Sequence, residues 1–168
     1  KGKDALKAAV AFLQEVQRVK ATVTKQTFLL EFGYMQSGSA RNVISDTSVL
    51  KGTLRTWDGP LFQQLFHQLK MIGERIETEY GCPCQVQRSV GYPALINDLP
   101  LYERAHRILG DLYELPDANL LSEDFAYYGS VVPSVFFYLG LGESAPLHSD
   151  HFDFDDAILS VGLETYLK

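Results

Sequence analysis

The stretch PLHSDHFDFDDAIL, residues 146–159, carries two histidines and four aspartates within a dozen positions. Imidazole and carboxylate are the usual ligands of a hydrolytic metal, so the first question is how many of these six side chains are free for that chemistry. Asp153, Asp155 and Asp156 precede an apolar helical pattern, where carboxylates satisfy unpaired N–H groups and meet the positive end of the helix dipole. A capped helix accounts for at least two of them. His148 differs, because it follows a Pro-Leu step after the glycine turn Gly140-Leu141-Gly142, beyond the carboxyl end of an apolar segment read as a strand. Open α/β sheets place ligands and catalytic groups there. His148 is therefore the one histidine expected to ligate. His151 is spaced to point elsewhere, and His67 and His106 fall within helical patterns.

Other residues could contribute polar chemistry. Ser122-Glu123-Asp124-Phe125 offers two carboxylates, and also reads as a cap with Ser122 leading a first turn. Arg41, Asn42 and Arg55 form a polar trio. An arginine can clamp a carboxylate through two parallel N–H bonds, and an asparagine amide can donate to a carbonyl oxygen. On the residues alone a solvated sheet face explains the trio better than a binding site does. A serine hydrolase lacks its Gly-x-Ser-x-Gly elbow, and the glycines match neither a phosphate loop nor a dinucleotide fingerprint. Catalytic zinc needs about three protein ligands and an open position, which the chain does not visibly supply.

The elements that must hold these groups follow from periodicity. Asp4 caps a helix with Leu6, Ala9, Phe12, Leu13, Val16 and Val19 on one stripe. Thr27–Met35 reads as a strand, Gln36–Asn42 as a polar loop, and Thr47–Thr56 as a second strand that turns Arg55 away from Leu54. Asp58-Gly59-Pro60 starts a helix with Phe62, Leu65, Phe66, Leu69, Ile72 and Ile76 on its stripe, stopped by Gly81. Gln85–Val90 alternates as a third strand. Helix, strand, strand, helix, strand is a ferredoxin-like βαββαβ sandwich without its first strand. After Gly91-Tyr92-Pro93, Asn97 or Asp98 caps a further helix, Val131–Leu139 reads as a buried strand, and Ile158, Leu159, Leu163, Tyr166 and Leu167 mark a terminal amphipathic helix. The predicted domains are 1–91 and 92–168. One strand cannot close a core, so the second is expected to complete a sheet formed upstream.

Bulk composition narrows the class. The 168 residues are 46% apolar, with a net charge of −6 and a pI near 5.1, which argues against a nucleic-acid phosphate partner. No apolar run approaches a membrane span, and no signal peptide opens the chain. Cys82-Pro83-Cys84 reads as a pair of reduced thiols in a cytoplasmic protein. With no initiator methionine, the chain is expected to begin inside a longer protein.

Four ordered motifs now combine: Ser39-Ala40-Arg41-Asn42-Val43-Ile44-Ser45-Asp46, Leu50-Lys51-Gly52-Thr53-Leu54-Arg55-Thr56, Ser122-Glu123-Asp124-Phe125, and Leu147-His148-Ser149 before Phe152-Asp153-Phe154-Asp155. Together they resemble the metal-dependent amidohydrolases that include hippurate hydrolase, aminoacylases, N-acetyldiaminopimelate deacetylase and auxin-conjugate hydrolases. The resemblance covers nearly the whole chain. It implies an α/β architecture, with a ferredoxin-like lid that also forms a homodimer, followed by the C-terminal part of a two-metal hydrolase domain. It implies His148 as a ligand of a centre of two divalent ions (zinc, manganese or cobalt). Asn42 and Arg55 match lid positions that bind the substrate's carbonyl or carboxylate. Ser122 stands where relatives often carry glycine, and Glu123 and Asp124 match the acidic pair lining the pocket. The other ligands and the general-base glutamate would precede Lys1, so the fragment alone is expected to be inactive. The implied reaction is amide hydrolysis of N-acyl amino acids. A dipeptidase-like peptidase on the same scaffold and a non-catalytic dimerisation or binding module are the rivals.

Overall fold

Asp4 starts the first helix, its carboxylate accepting from the Lys7 N–H at 3.1 Å and satisfying one of the unpaired donors of the first turn. The computed structural model describes residues 2–23, 27–110, 112–115 and 119–168. Helix α1 spans Ala5–Thr22, strand β1 Phe28–Ser37, strand β2 Ser48–Thr56 and helix α2 Gly59–Tyr80. Asp58 caps α2 through the Leu61 N–H, and Gly81 ends it at φ 65°, a left-handed conformation that glycine adopts without steric cost.

The two strands pair antiparallel, Phe28 opposite Thr56 and Ser37 opposite Ser48, with a bulge between Phe32 and Tyr34. The ladder is tight at Gly52. A Cβ there would lie 2.5 Å from the Glu31 carbonyl oxygen and 2.9 Å from the Phe32 ring. One sheet face and the stripes of α1 and α2 enclose a core of Ala8, Phe12, Val16, Leu30, Leu69, Ile72 and Ile76. Leu50 and Leu54 pack against that core, and Arg55 alternates away from it as the strand period requires.

The expected strand Gln85–Val90 does not form. A strand exists through its ladder, and among the described residues none lies beside this segment. Side chains hold it instead. Val86 packs against the core, and the Arg88 guanidinium lies 5.5 and 5.6 Å from the ring centres of Phe62 and Phe66. The Cys84 N–H donates to the Glu77 carboxylate at 3.1 Å. Both cysteines are free, and burial together with Glu77 pushes the Cys84 thiol above its ordinary pKa.

The chain divides into two units, Lys1–Ala94 with Ala118–Ser122, and Leu95–Asp117 with Glu123–Lys168. The second contains α3 (Leu99–Leu109), the single turn α4 (Ala126–Gly129) and α5 (Ala157–Leu167). Of the two candidate caps for α3, Asp98 takes the role, accepting from Leu101 N at 2.9 Å. The buried strand expected at Val131–Leu139 is absent, and Val131 is 83% exposed. Its backbone finds local partners in place of a sheet. The Asn97 amide donates to the Phe136 carbonyl at 3.0 Å and accepts from the Phe136 N–H at 2.8 Å. Asp98 N also donates to Ser134 O at 2.9 Å.

Two expected caps are corrected as well. Asp156 stands at the N-cap of α5 without a side-chain bond, while Asp155 accepts from Ala157 N at 2.9 Å. Asp153 instead accepts from Phe154 N. Ser122 caps nothing among the described residues, and Glu123 reaches Phe125 N at 3.2 Å in its place. Helix α5 forms where its pattern predicts but buries no residue: Phe137 and Leu139 lie against it, and Leu159, Leu163 and Leu167 stay exposed. No helix among the described residues is long and apolar enough to cross a membrane.

Candidate functional site

Asn42 sits in the β1–β2 connection, in a turn closed by the Val43 N–H donating to Ala40 O at 3.2 Å. Its side chain is exposed, as are Arg41, Val43 and Ile44. Among the described residues none hydrogen-bonds the Asn42 amide, which leaves both its donor and its acceptor open to a ligand. The polar tip is therefore presented by the hairpin rather than absorbed into it.

Arg55 is half-buried on β2, opposite Leu29 in the ladder. One guanidinium nitrogen donates to the Leu120 carbonyl at 2.7 Å. Arginine has five N–H donors, so this bond fixes the side chain and leaves the rest of its fork available. It also ties the segment just before Ser122 into the first unit. Sequence reasoning missed this contact, since a carbonyl sixty-five residues away leaves no compositional trace. Ser122 itself is exposed.

In the second unit Glu123 is half-buried and Asp124 exposed. The turn they open continues into Phe125, whose ring lies 5.3 Å from that of Tyr128 and 5.4 Å from that of Phe136. His148 stands out by its backbone. Its φ is 70°, the one positive value at a non-glycine residue among those described. An L-residue in that region carries a steric cost, and such strain concentrates at sites of function. Three bonds hold the turn: Ser149 N to Pro146 O at 3.0 Å, Phe152 N to Ser149 O at 3.1 Å, and His151 N to Ser149 Oγ at 3.1 Å. His148 and His151 are both exposed, and the His151 ring lies 3.7 Å from the neighbouring Asp150 carboxylate.

No three His, Cys, Asp or Glu side chains among the described residues are grouped to hold a metal ion. His148 fits the part of a single ligand. The other members of a metal-binding set are not among the described groups.

The profile of peptidase family M20/M25/M40 matches residues 4–168. The chain belongs to that family. An uncharacterized hydrolase of Staphylococcus saprophyticus is 26% identical over 165 residues, covering 93% of this chain and 43% of that protein. One from Staphylococcus aureus is 28% identical over 166 residues with the same coverage. The M20 chain thus spans less than half the length of these relatives. A protein assigned as an aminohydrolase from methicillin-resistant S. aureus superposes with a TM-score of 0.84 at 27% identity, over 98% of this chain and 45% of that one. A dinuclear metal-binding M20 peptidase from Bacillus subtilis shares the fold with a TM-score of 0.80 at 23% identity, over 97% and 44% of the two chains.

Proposed function

We propose that this M20 chain is the C-terminal part of a metal-dependent amidohydrolase that cleaves the amide bond of N-acyl amino acids. On this reading residues 1–91 are a lid and dimerisation domain, a split βαβ lacking its first strand, and residues 92–168 return into the catalytic domain. Gln85–Val90 lacks a ladder in keeping with that assignment, because the last strand of a split βαβ lies beside the first. Family membership supports hydrolysis as the chemistry. Within the chain, the observation that carries the reading is His148, an exposed imidazole held on a strained backbone.

Divalent metal ions, when bound, would activate water and polarise the amide carbonyl, and His148 is the residue of this chain that would hold one. The chain's other groups act on the substrate. The Asn42 amide donates to the carbonyl oxygen and to the negative charge that develops there. Arg55 binds the substrate carboxylate with the donors that Leu120 does not engage. Ser122, Glu123 and Asp124 line the pocket. The general base lies on a segment preceding this one.

The test uses the intact protein with zinc, manganese or cobalt, assayed on N-acetyl and N-benzoyl amino acids beside dipeptides. Hydrolysis of the acylated amino acids is expected. Arg55→Ala should raise KM by about ten- to a hundredfold for substrates with a free carboxylate, the worth of a charge-assisted bond of roughly 1.5–3 kcal/mol. Asn42→Ala should lower kcat by about 10²–10³. Cleavage of dipeptides alone would favour the dipeptidase-like reading. Inactivity on both, with metal bound, would favour a binding module.

A further inference from the structure

Among the described residues Ser45 is the one buried polar residue, at 5% exposure. A buried hydroxyl needs partners, and those of Ser45 are specific. Its Oγ donates to Thr47 O at 2.9 Å and lies 2.7 Å from Ser37 Oγ. Ser37 Oγ in turn bonds Ser48 Oγ. Ser37 Oγ also reaches the Thr47 carbonyl, at 3.4 Å, so three hydroxyls and one carbonyl form a single network at the base of the connection.

The Ser45 backbone is engaged too. Its carbonyl accepts from Ala5 N at 2.9 Å, one of the first-turn donors of α1 that has no partner inside the helix. Ser45 therefore joins three elements: the end of β1, the start of β2 and the start of α1. The connection it anchors, residues 38–47, is longer than the roughly two to five residues of a usual hairpin loop. A long connection needs a tether to present a fixed tip. The tip left outside this one is Arg41–Ile44, all exposed, with Asn42 three residues before Ser45.

We infer that Ser45 is a positioning residue for Asn42, fixing the loop so that the amide is aimed before substrate arrives. This rests on the substrate role proposed for Asn42. Misplacing a catalytic donor by about 1 Å can cost on the order of a hundredfold in rate. Removing the hydroxyl should thus lower kcat by about ten- to a hundredfold while KM changes far less.

The experiment is a double-mutant cycle in the intact metal-loaded protein, Ser45→Ala and Asn42→Ala singly and together, with Ser45→Thr as the rescue. Hydrogen exchange across residues 39–48 and α2 is read on the same variants. Ser45→Ala is expected to lower kcat, speed exchange in 39–48, leave α2 protected, and cause no further loss once Asn42 is alanine. Ser45→Thr, which keeps the hydroxyl, should restore both readouts. Effects of the two alanines that multiply, or a Ser45→Ala protein with normal kcat, would overturn the inference. Normal kcat in Asn42→Ala alone would instead remove the role of Asn42, and the positioning role with it. Lost protection of α2 in Ser45→Ala, with slow turnover unrescued by threonine, would make Ser45 a folding residue only and overturn the inference as well.

Discussion

The two units carry similar apolar patterns and do opposite things with them. In the first, Val16 and Leu65 are wholly buried, and two helices close over one face of a hairpin sheet. In the second, α3 and α5 bury no residue, and Ala126 is its one buried apolar side chain among those described. Leu163 is 61% and Tyr166 81% exposed. A stripe becomes a core when another element lies against it. The first unit contains both partners of that contact, and among its described residues the second has helices without a sheet to cover. Its local stability should accordingly fall at the low end of the range spanned by one molecule.

The strongest way to break this contrast is a pair of truncations in the chain itself. Leu65→Ala removes a side chain with no exposure and should cost about 2–5 kcal/mol of unfolding free energy in urea. Leu163→Ala, on α5, should change it by about 0.5 kcal/mol or less. Equal losses would show that the second unit has a core comparable to the first.

A smaller effect sharpens the account of the hairpin. Gly52→Ala places a methyl against the Glu31 carbonyl, so the ladder must open beside its bulge. A loss of about 1–3 kcal/mol is expected by thermal denaturation. An unchanged melting temperature would mean that the two strands part freely at that point.

The smallest effect concerns pH. The Lys7 backbone N–H holds the Asp4 carboxyl below its ordinary value of 3.8. Because the folded pKa is the lower one, this contribution is complete above the ordinary value and disappears as pH falls through the folded value. Asp4→Asn should therefore flatten the stability profile of the chain at the acid end and nowhere else. An identical acid limb in wild type and variant would remove the cap from the account.

The first unit was readable in the sequence because its signals are local. Asp4, Asp58 and Gly81 each do at their helix ends what their residue types allow, and Arg55 alternates away from Leu54 within a strand whose neighbour follows in sequence. Gln85–Val90 and Val131–Leu139 misled because alternation and apolar runs describe what a segment can pair with, while a ladder requires the partner to be there. Of the three aspartates expected to cap α5, Asp155 alone reaches a first-turn N–H, since neighbouring aspartates look alike until φ and ψ are set. For the candidate site, the sequence singled out His148 by its setting after a glycine turn, but no pattern announced its φ of 70°. Ser45 stood inside the motif of residues 39–46 without a role of its own, and the Leu120 carbonyl carried no signal, because their significance lies in the groups that meet them.

The central proposal is that His148, on its positive-φ backbone, holds a metal, and His148→Gly tests it most directly. Glycine takes φ 70° without the steric cost of an L-residue, roughly 1–2 kcal/mol. The variant of the intact protein should keep or slightly gain stability while its zinc or manganese content per protomer falls. Full metal content in His148→Gly would contradict the account, whatever the stability.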